Sequence, residues 1–149
     1  MKTANPKMWG IGFTCGSYDL LHAGHVLALK EASEGCEYLI VGLQSDPTID
    51  RPEKNKPIQT LEERQIQLTG CRYVDDVIIY NTEKELYDFL AENSRGIDIR
   101  FLGEDWKGKP FTGHELPIPC VFTSRTHAYS SSNLRRRVYW AEKARKYEE

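Results

Sequence analysis

Tyr38-Leu39-Ile40-Val41-Gly42-Leu43 is a continuous apolar run of strand length. With no polar residue alternating through it, the run has the pattern of a parallel strand covered on both faces. Upstream, Val26-Leu27-Ala28-Leu29-Lys30-Glu31-Ala32 is rich in good helix formers, its apolar residues suit a helix lying against a sheet, and Gly35 supplies a C-terminal stop. Earlier still, Trp9 to Cys15 is short, mostly apolar and bounded by polar residues, which predicts a first buried strand. Strand, helix and strand in this order predict a βαβ unit.

The pattern repeats downstream. Between Ser45 and Gln59 the chain turns polar, with Pro47, Pro52 and Pro57 among six charges, and predicts a long surface loop of a length that is often functional. Thr60-Leu61-Glu62-Glu63 fits a capping box and launches a helix through Leu68 that stops at Gly70. Val77 to Tyr80 reads as a third strand, Thr82-Glu83-Lys84-Glu85 as a second capping box, and the helix after it is expected to end near Gly96. Ile99 to Leu102 and Cys120 to Phe122 are the fourth and fifth strands, and Ser130 to Ser132 cap a terminal helix whose Leu134, Val138 and Ala141 form a stripe expected against the sheet. The alternation predicts an α/β fold: one domain over residues 1–149, with a Rossmann-like, doubly wound, five-stranded parallel sheet. Ligands in such folds sit beyond the carboxyl ends of the strands.

Composition narrows the partners. A chain of 149 residues, 40% hydrophobic, suffices for one well-buried core, and a net charge of −2 gives no global attraction to nucleic acid or an anionic membrane. The arginines and lysines between Asn133 and Lys146 are accordingly expected to form a solvated helix face, with Arg135 leaning towards any anion site. Cys15, Cys36, Cys71 and Cys120 form no Cys-x-x-Cys pair, so reduced, mostly buried thiols are expected. Met1 to Lys7 lacks the apolar core of a secretion signal, and no stretch approaches a membrane span, which together predict a cytoplasmic protein.

Chemistry concentrates at His22-Ala23-Gly24-His25, behind the first strand and a turn of small residues, Cys15-Gly16-Ser17-Tyr18-Asp19. Two imidazoles at a helix N-terminus, with an open backbone between them, can grip adjacent phosphate oxygens. Zinc is disfavoured because no other ligands lie nearby for a closed tetrahedral site. Gly10, Gly12 and Gly16 do not fit the G-x-G-x-x-G spacing, and Gly108-Lys109 is followed by Pro110 rather than completing a Walker motif. Arg125, a few residues ahead of Ser130-Ser131-Ser132, suits a second anion site of hydroxyls, amides and helix dipole.

These residues also carry a family likeness. Gly16 to His25 resembles the signature of the nucleotidyltransferase superfamily, especially its small cytidylyltransferases. Arg72 to Ile78, Gly103-Glu104-Asp105-Trp106-Lys107-Gly108-Lys109, and Arg125-Thr126 with the serine-rich helix start resemble blocks of glycerol-3-phosphate cytidylyltransferases, in matching order from about Gly12 to Val138. The resemblance implies an enzyme that joins CTP to a small phosphorylated alcohol, polyol or sugar, with glycerol 3-phosphate as the leading acceptor, and releases pyrophosphate. It implies His22, His25, Lys56 and Arg125 as the catalytic set. It implies a nucleotide site made of Gly16, Ser17, Tyr18, Gly24, Gly103, Asp105, Thr126, Tyr129, Ser130, Ser131 and Ser132. Lys54 or Lys56 would reach the phosphates from the polar loop, Lys56 aligning more naturally. Magnesium would accompany the triphosphate, and a homodimer is implied. Ala128-Tyr129 stands where the family has Gly-Ile, and Ser131 and Ser132 replace threonines, which keeps the hydroxyls. An ATP-dependent adenylyltransferase and a non-catalytic nucleotide-binding domain are the alternatives. A tRNA synthetase fragment sharing the histidine signature is disfavoured by length.

Overall fold

The computed structural model describes residues 9–145. Within them five strands, β1 (Trp9–Gly16), β2 (Cys36–Gln44), β3 (Asp76–Tyr80), β4 (Ile99–Gly103) and β5 (Cys120–Thr123), alternate with four helices, α1 (Ala23–Glu34), α2 (Leu61–Thr69), α3 (Glu83–Glu92) and α4 (Ser131–Lys143). All strand pairs are parallel and the order is β3-β2-β1-β4-β5. This is the doubly wound arrangement, and its order reverses between β1 and β4, where a crevice opens past the strand ends. The expectations for Met1 to Lys7 and Lys146 lie outside the described residues.

Local chemistry sets the boundaries. Thr60 and Thr82 each accept from the amide three residues on, while Glu63 and Glu85 reach back to the cap amides, closing both predicted boxes. Gly35 and Gly70 end α1 and α2 as expected. Helix α3 stops before Gly96, because Asn93 caps it and its side chain donates to the Phe89 carbonyl 2.7 Å away. The sheet buries both faces: Leu29, Leu39, Val41, Leu43 and Leu68 pack under α1 and α2, and Phe13, Tyr80, Leu86 and Leu90 under α3. Gly12 permits the first layer, since a Cβ there would lie 2.7 Å from the Phe101 ring and 2.8 Å from Cys36 Sγ.

Two expectations need correction. The α4 stripe does not lie against the sheet: Leu134 is half-buried, Val138 and Ala141 are exposed, and the helix buries no residue. Of the cysteines, all free, only Cys36 is fully buried; the other three are half-buried. Among the described residues no helix is long and apolar enough to cross a membrane.

Candidate active site

The N-terminus of α1 is capped by imidazoles. His22 is the cap residue, its Nδ1 accepting from the Gly24 amide at 3.0 Å, and His25 Nδ1 accepts from the His22 amide at 3.2 Å. A backbone N–H can only donate, so each Nδ1 must present a lone pair and each proton must sit on Nε2. The rings stack with centroids 3.8 Å apart. Gly24 makes room, because a Cβ there would meet the His22 ring at 2.9 Å and the His127 ring at 3.0 Å. Burial, then the neighbouring His22, pulls the His25 pKa down to about 4, and burial, with His127 and Arg125, lowers that of His22. Both rings are therefore neutral N–H donors at neutral pH, and fixed cationic charge near them comes from arginines.

The second predicted anchor arrives from the far end of the chain. His22 Nε2 lies 3.1 Å from Ser131 Oγ, 109 residues away in sequence. Ser130 caps α4 through a bond from the Asn133 amide. Two adjoining cavities of about 350 and about 680 Å³ share a wall that includes Gly16, Ser17, Tyr18, His25, Gly103 and Ser131. The smaller also holds His22, Gly24, Asp105, Arg125, Tyr129 and Ser130. Arg125 Nη1 donates to Asp105 at 2.6 Å and Nη2 reaches the Tyr129 carbonyl at 3.4 Å, so the guanidinium braces the loop ahead of α4.

A nucleotide-sized cleft at the sheet's switch point, with two helix N-termini aimed across it, has matches among known proteins. The family model described as Cytidylyltransferase-like fits residues 13–137. The chain belongs to this family. Glycerol-3-phosphate cytidylyltransferase of Bacillus subtilis is 32% identical over 126 residues, 84% of this chain and 94% of that protein. Ethanolamine-phosphate cytidylyltransferase of Dictyostelium discoideum is 40% identical over 64% of this chain, a segment amounting to 28% of its own length. The lipopolysaccharide core biosynthesis protein of Thermoplasma volcanium, 24% identical with a TM-score of 0.65, shares the fold over 79% of this chain and 98% of its own. The chain is thus a nucleotidyltransferase enzyme of the cytidylyltransferase family.

Not every expected residue of this cytidylyltransferase reaches the cleft. Lys54 lies on the wall of the larger cavity, whereas Lys56 is off both walls, its side chain 79% exposed and its ammonium 3.9 Å from Asp46. Thr126 and Ser132 are exposed and also off both walls. Tyr18 contributes a ring more than a hydroxyl: it is 9% exposed, packs 5.3 Å from the His25 ring, and burial pushes its pKa up.

Other residues proved central without a signal in the sequence. Arg64, 2% exposed, donates to the carbonyls of Ser17, Gln44, Ser45 and Gln59, tying the ends of β1 and β2 to the polar loop. Asp19 accepts from the Ile58 and Gln59 amides at 2.9 Å and sits 3.8 Å from Arg135, latching the same loop to α4. Arg64 and Arg100 read as ordinary charges because nothing local marks an arginine as buried. His127, whose ring packs against Gly24 and stacks on Tyr129 at 5.1 Å, lies in an irregular stretch with no periodicity to read.

Proposed function

We propose that this enzyme transfers the cytidylyl group of CTP to the phosphate of a small phosphorylated alcohol, polyol or sugar. The observation that carries the proposal is the meeting of the imidazole-capped α1 and the serine-capped α4 at one cleft wall, His22 Nε2 to Ser131 Oγ. Glycerol 3-phosphate is the first acceptor to test, supported by the similarity to the Bacillus subtilis enzyme over nearly its whole length.

The chemistry follows from the donors present. An acceptor phosphate oxygen attacks the α-phosphorus in line, a new P–O bond forms, the bond to the bridging oxygen breaks, and pyrophosphate leaves with the electron pair. No side chain need act as nucleophile. His22 and His25 place Nε2–H donors where negative charge accumulates, in fixed positions that need no reorganisation. The α4 N-terminus and Arg125 line the smaller cavity and would hold the β- and γ-phosphates, and Lys54, on the wall of the larger, would reach them from the polar loop. Among the described residues no three His, Cys, Asp or Glu cluster as a metal cage, so magnesium would enter with the triphosphate, held mainly by phosphate oxygens and water.

The four free thiols support action in a reducing cytoplasm. An exposed apolar face on α4 supports the homodimer implied by the sequence resemblance. Pyrophosphate release from CTP and from ATP, each paired with a panel of phosphorylated acceptors, tests the function. Turnover with CTP is expected. Preference for ATP would make the enzyme an adenylyltransferase, and tight CTP binding without release would reduce it to a binding domain.

A further inference from the structure

The larger cavity extends beyond the imidazoles to the α3 face of the sheet, where Tyr80, Leu86 and Phe111 form its apolar wall. Arg100, on β4 opposite Phe13, lines this end and is 4% exposed. Its Nη1 donates to the Thr112 carbonyl, its Nη2 lies 3.8 Å from Cys15 Sγ, and its guanidinium covers the Phe111 ring at 5.1 Å. Among the described residues the ion pairs at this end join Arg51 to Glu83 at 3.2 Å and Arg135 to Asp19 at 3.8 Å; none reaches Arg100. A buried guanidinium without a counter-ion is strongly penalised by lost hydration.

The deficit is shared. Among the described residues Arg100 Nε, Arg51 Nε and Gln44 Nε2 are buried with no hydrogen-bond partner, and all three side chains belong to this one cavity wall. Arg51 already holds Glu83 at 3.2 Å, so Arg100 is the guanidinium on this wall with no carboxylate partner among the described residues, and it is the group that anionic oxygens would satisfy. The reacting phosphate cannot fill it. That phosphate must meet the α-phosphorus beside His22 and His25, which cap α1 over the opposite face, while Thr112 and Cys15 hold the Arg100 guanidinium on the α3 face.

We propose that Arg100 is a specificity-determining residue for the acceptor, and that the acceptor carries, besides its reacting phosphate, a carboxylate that docks at Arg100 beside Arg51 and Gln44. The planar fork of a guanidinium matches a carboxylate with two parallel bonds. This narrows the acceptor to phosphorylated hydroxy acids and rests on the transfer reaction proposed above. Arg100 touches no reacting atom; it sets which acceptor is held in line.

Two compounds isolate the contact: 3-phosphoglycerate and glycerol 3-phosphate, which differ by a carboxylate in place of a hydroxymethyl group. With wild-type enzyme and CTP, kcat/KM should favour 3-phosphoglycerate by at least about tenfold. Arg100→Met should lower that value roughly a hundredfold and glycerol 3-phosphate turnover by a clearly smaller factor. Arg100→Lys, which keeps the charge and loses the fork, should stay folded and retain part of the preference. Equal losses on both compounds, or a wild-type enzyme indifferent to the carboxylate, would overturn the proposal. Calorimetric titration of the two compounds onto wild-type and Arg100→Lys protein reads the same contact without turnover. Arg100-dependent binding of 3-phosphoglycerate with no pyrophosphate from any acceptor would sink the transfer reaction and leave the anion subsite standing. Pyrophosphate release with equal binding of both compounds would do the reverse.

Discussion

Protonating His25 would place a hydrogen on Nδ1, the atom that accepts the His22 amide, so charging the ring breaks the cap that positions it. The depressed pKa and the hydrogen-bond geometry therefore describe one constraint. Nitrogen-15 spectra of the free protein at pH 7 should show both rings as Nε2–H tautomers; an Nδ1–H signal from either would refute the donor assignment. Linkage gives the sign for stability. Because the folded-state pKa of His25 is about 4 against 6.5 unfolded, the unfolded chain binds more protons between those values. The contribution, on the order of 3 kcal/mol from a shift of that size, is complete above pH 6.5 and lost as pH falls towards about 4. The denaturation midpoint should drop over that window in wild type, and less in His25→Gln. For turnover, His22→Ala and His25→Ala should each reduce kcat by about a hundred- to a thousandfold, the loss typical of one oxyanion donor. His22→Asn separates the roles: asparagine is a good cap, so thermal stability should be nearly retained while kcat falls.

Helix composition divides the molecule into scaffold and site. Helices α2 and α3 each carry two acidic residues in the first turn, Glu62 and Glu63, and Glu83 and Glu85, which neutralise the positive end of the dipole. Helices α1 and α4 carry none, and both open on the cleft. Their uncompensated N-termini are what an incoming triphosphate would satisfy. Ser132, exposed in the first turn of α4 and off both cavity walls, allows a direct test. Ser132→Glu should stabilise the helix by about 0.3–1 kcal/mol and raise the KM for CTP by competing for the same dipole; an unchanged KM would show that α4 does not face the phosphates. The two threonine capping boxes were legible in the sequence because each depends on residues three positions apart. The imidazole cap was only half legible. His22 and His25 marked a phosphate-gripping helix start, but their use as backbone acceptors depends on ring rotamers that no spacing encodes. Arg64 and Arg100 were opaque for a related reason: apart from Gln59, their partners are carbonyls of residues 12 to 47 positions away, brought close only by the fold.

Across the whole molecule the doubly wound parallel sheet was readable from strand-helix alternation, whereas the place of α4 was not, because its apolar residues suited a sheet contact that does not form. The helix has 13 residues, buries none of them, and exposes Val138, Tyr139 and Trp140 by 58%, 55% and 61%. An isolated helix of that length is marginal in water, since nucleation is unfavourable and most helical stability comes from packing. Yet α4 supplies Ser130 and Ser131 to the cleft and Arg135 to the Asp19 latch. A second copy covering this face would stabilise the helix and hold the phosphate end of the site in place. Sedimentation equilibrium should accordingly give twice the mass of the 17.2 kDa chain. Trp140→Glu should shift the protein to monomer, reduce its helical signal, and weaken CTP binding, although residue 140 lies more than two turns from Ser131 on a helix rising about 1.5 Å per residue. A monomeric wild type, or a Trp140→Glu monomer with unchanged helicity and CTP affinity, would show that α4 is stable alone and that each chain completes its own site.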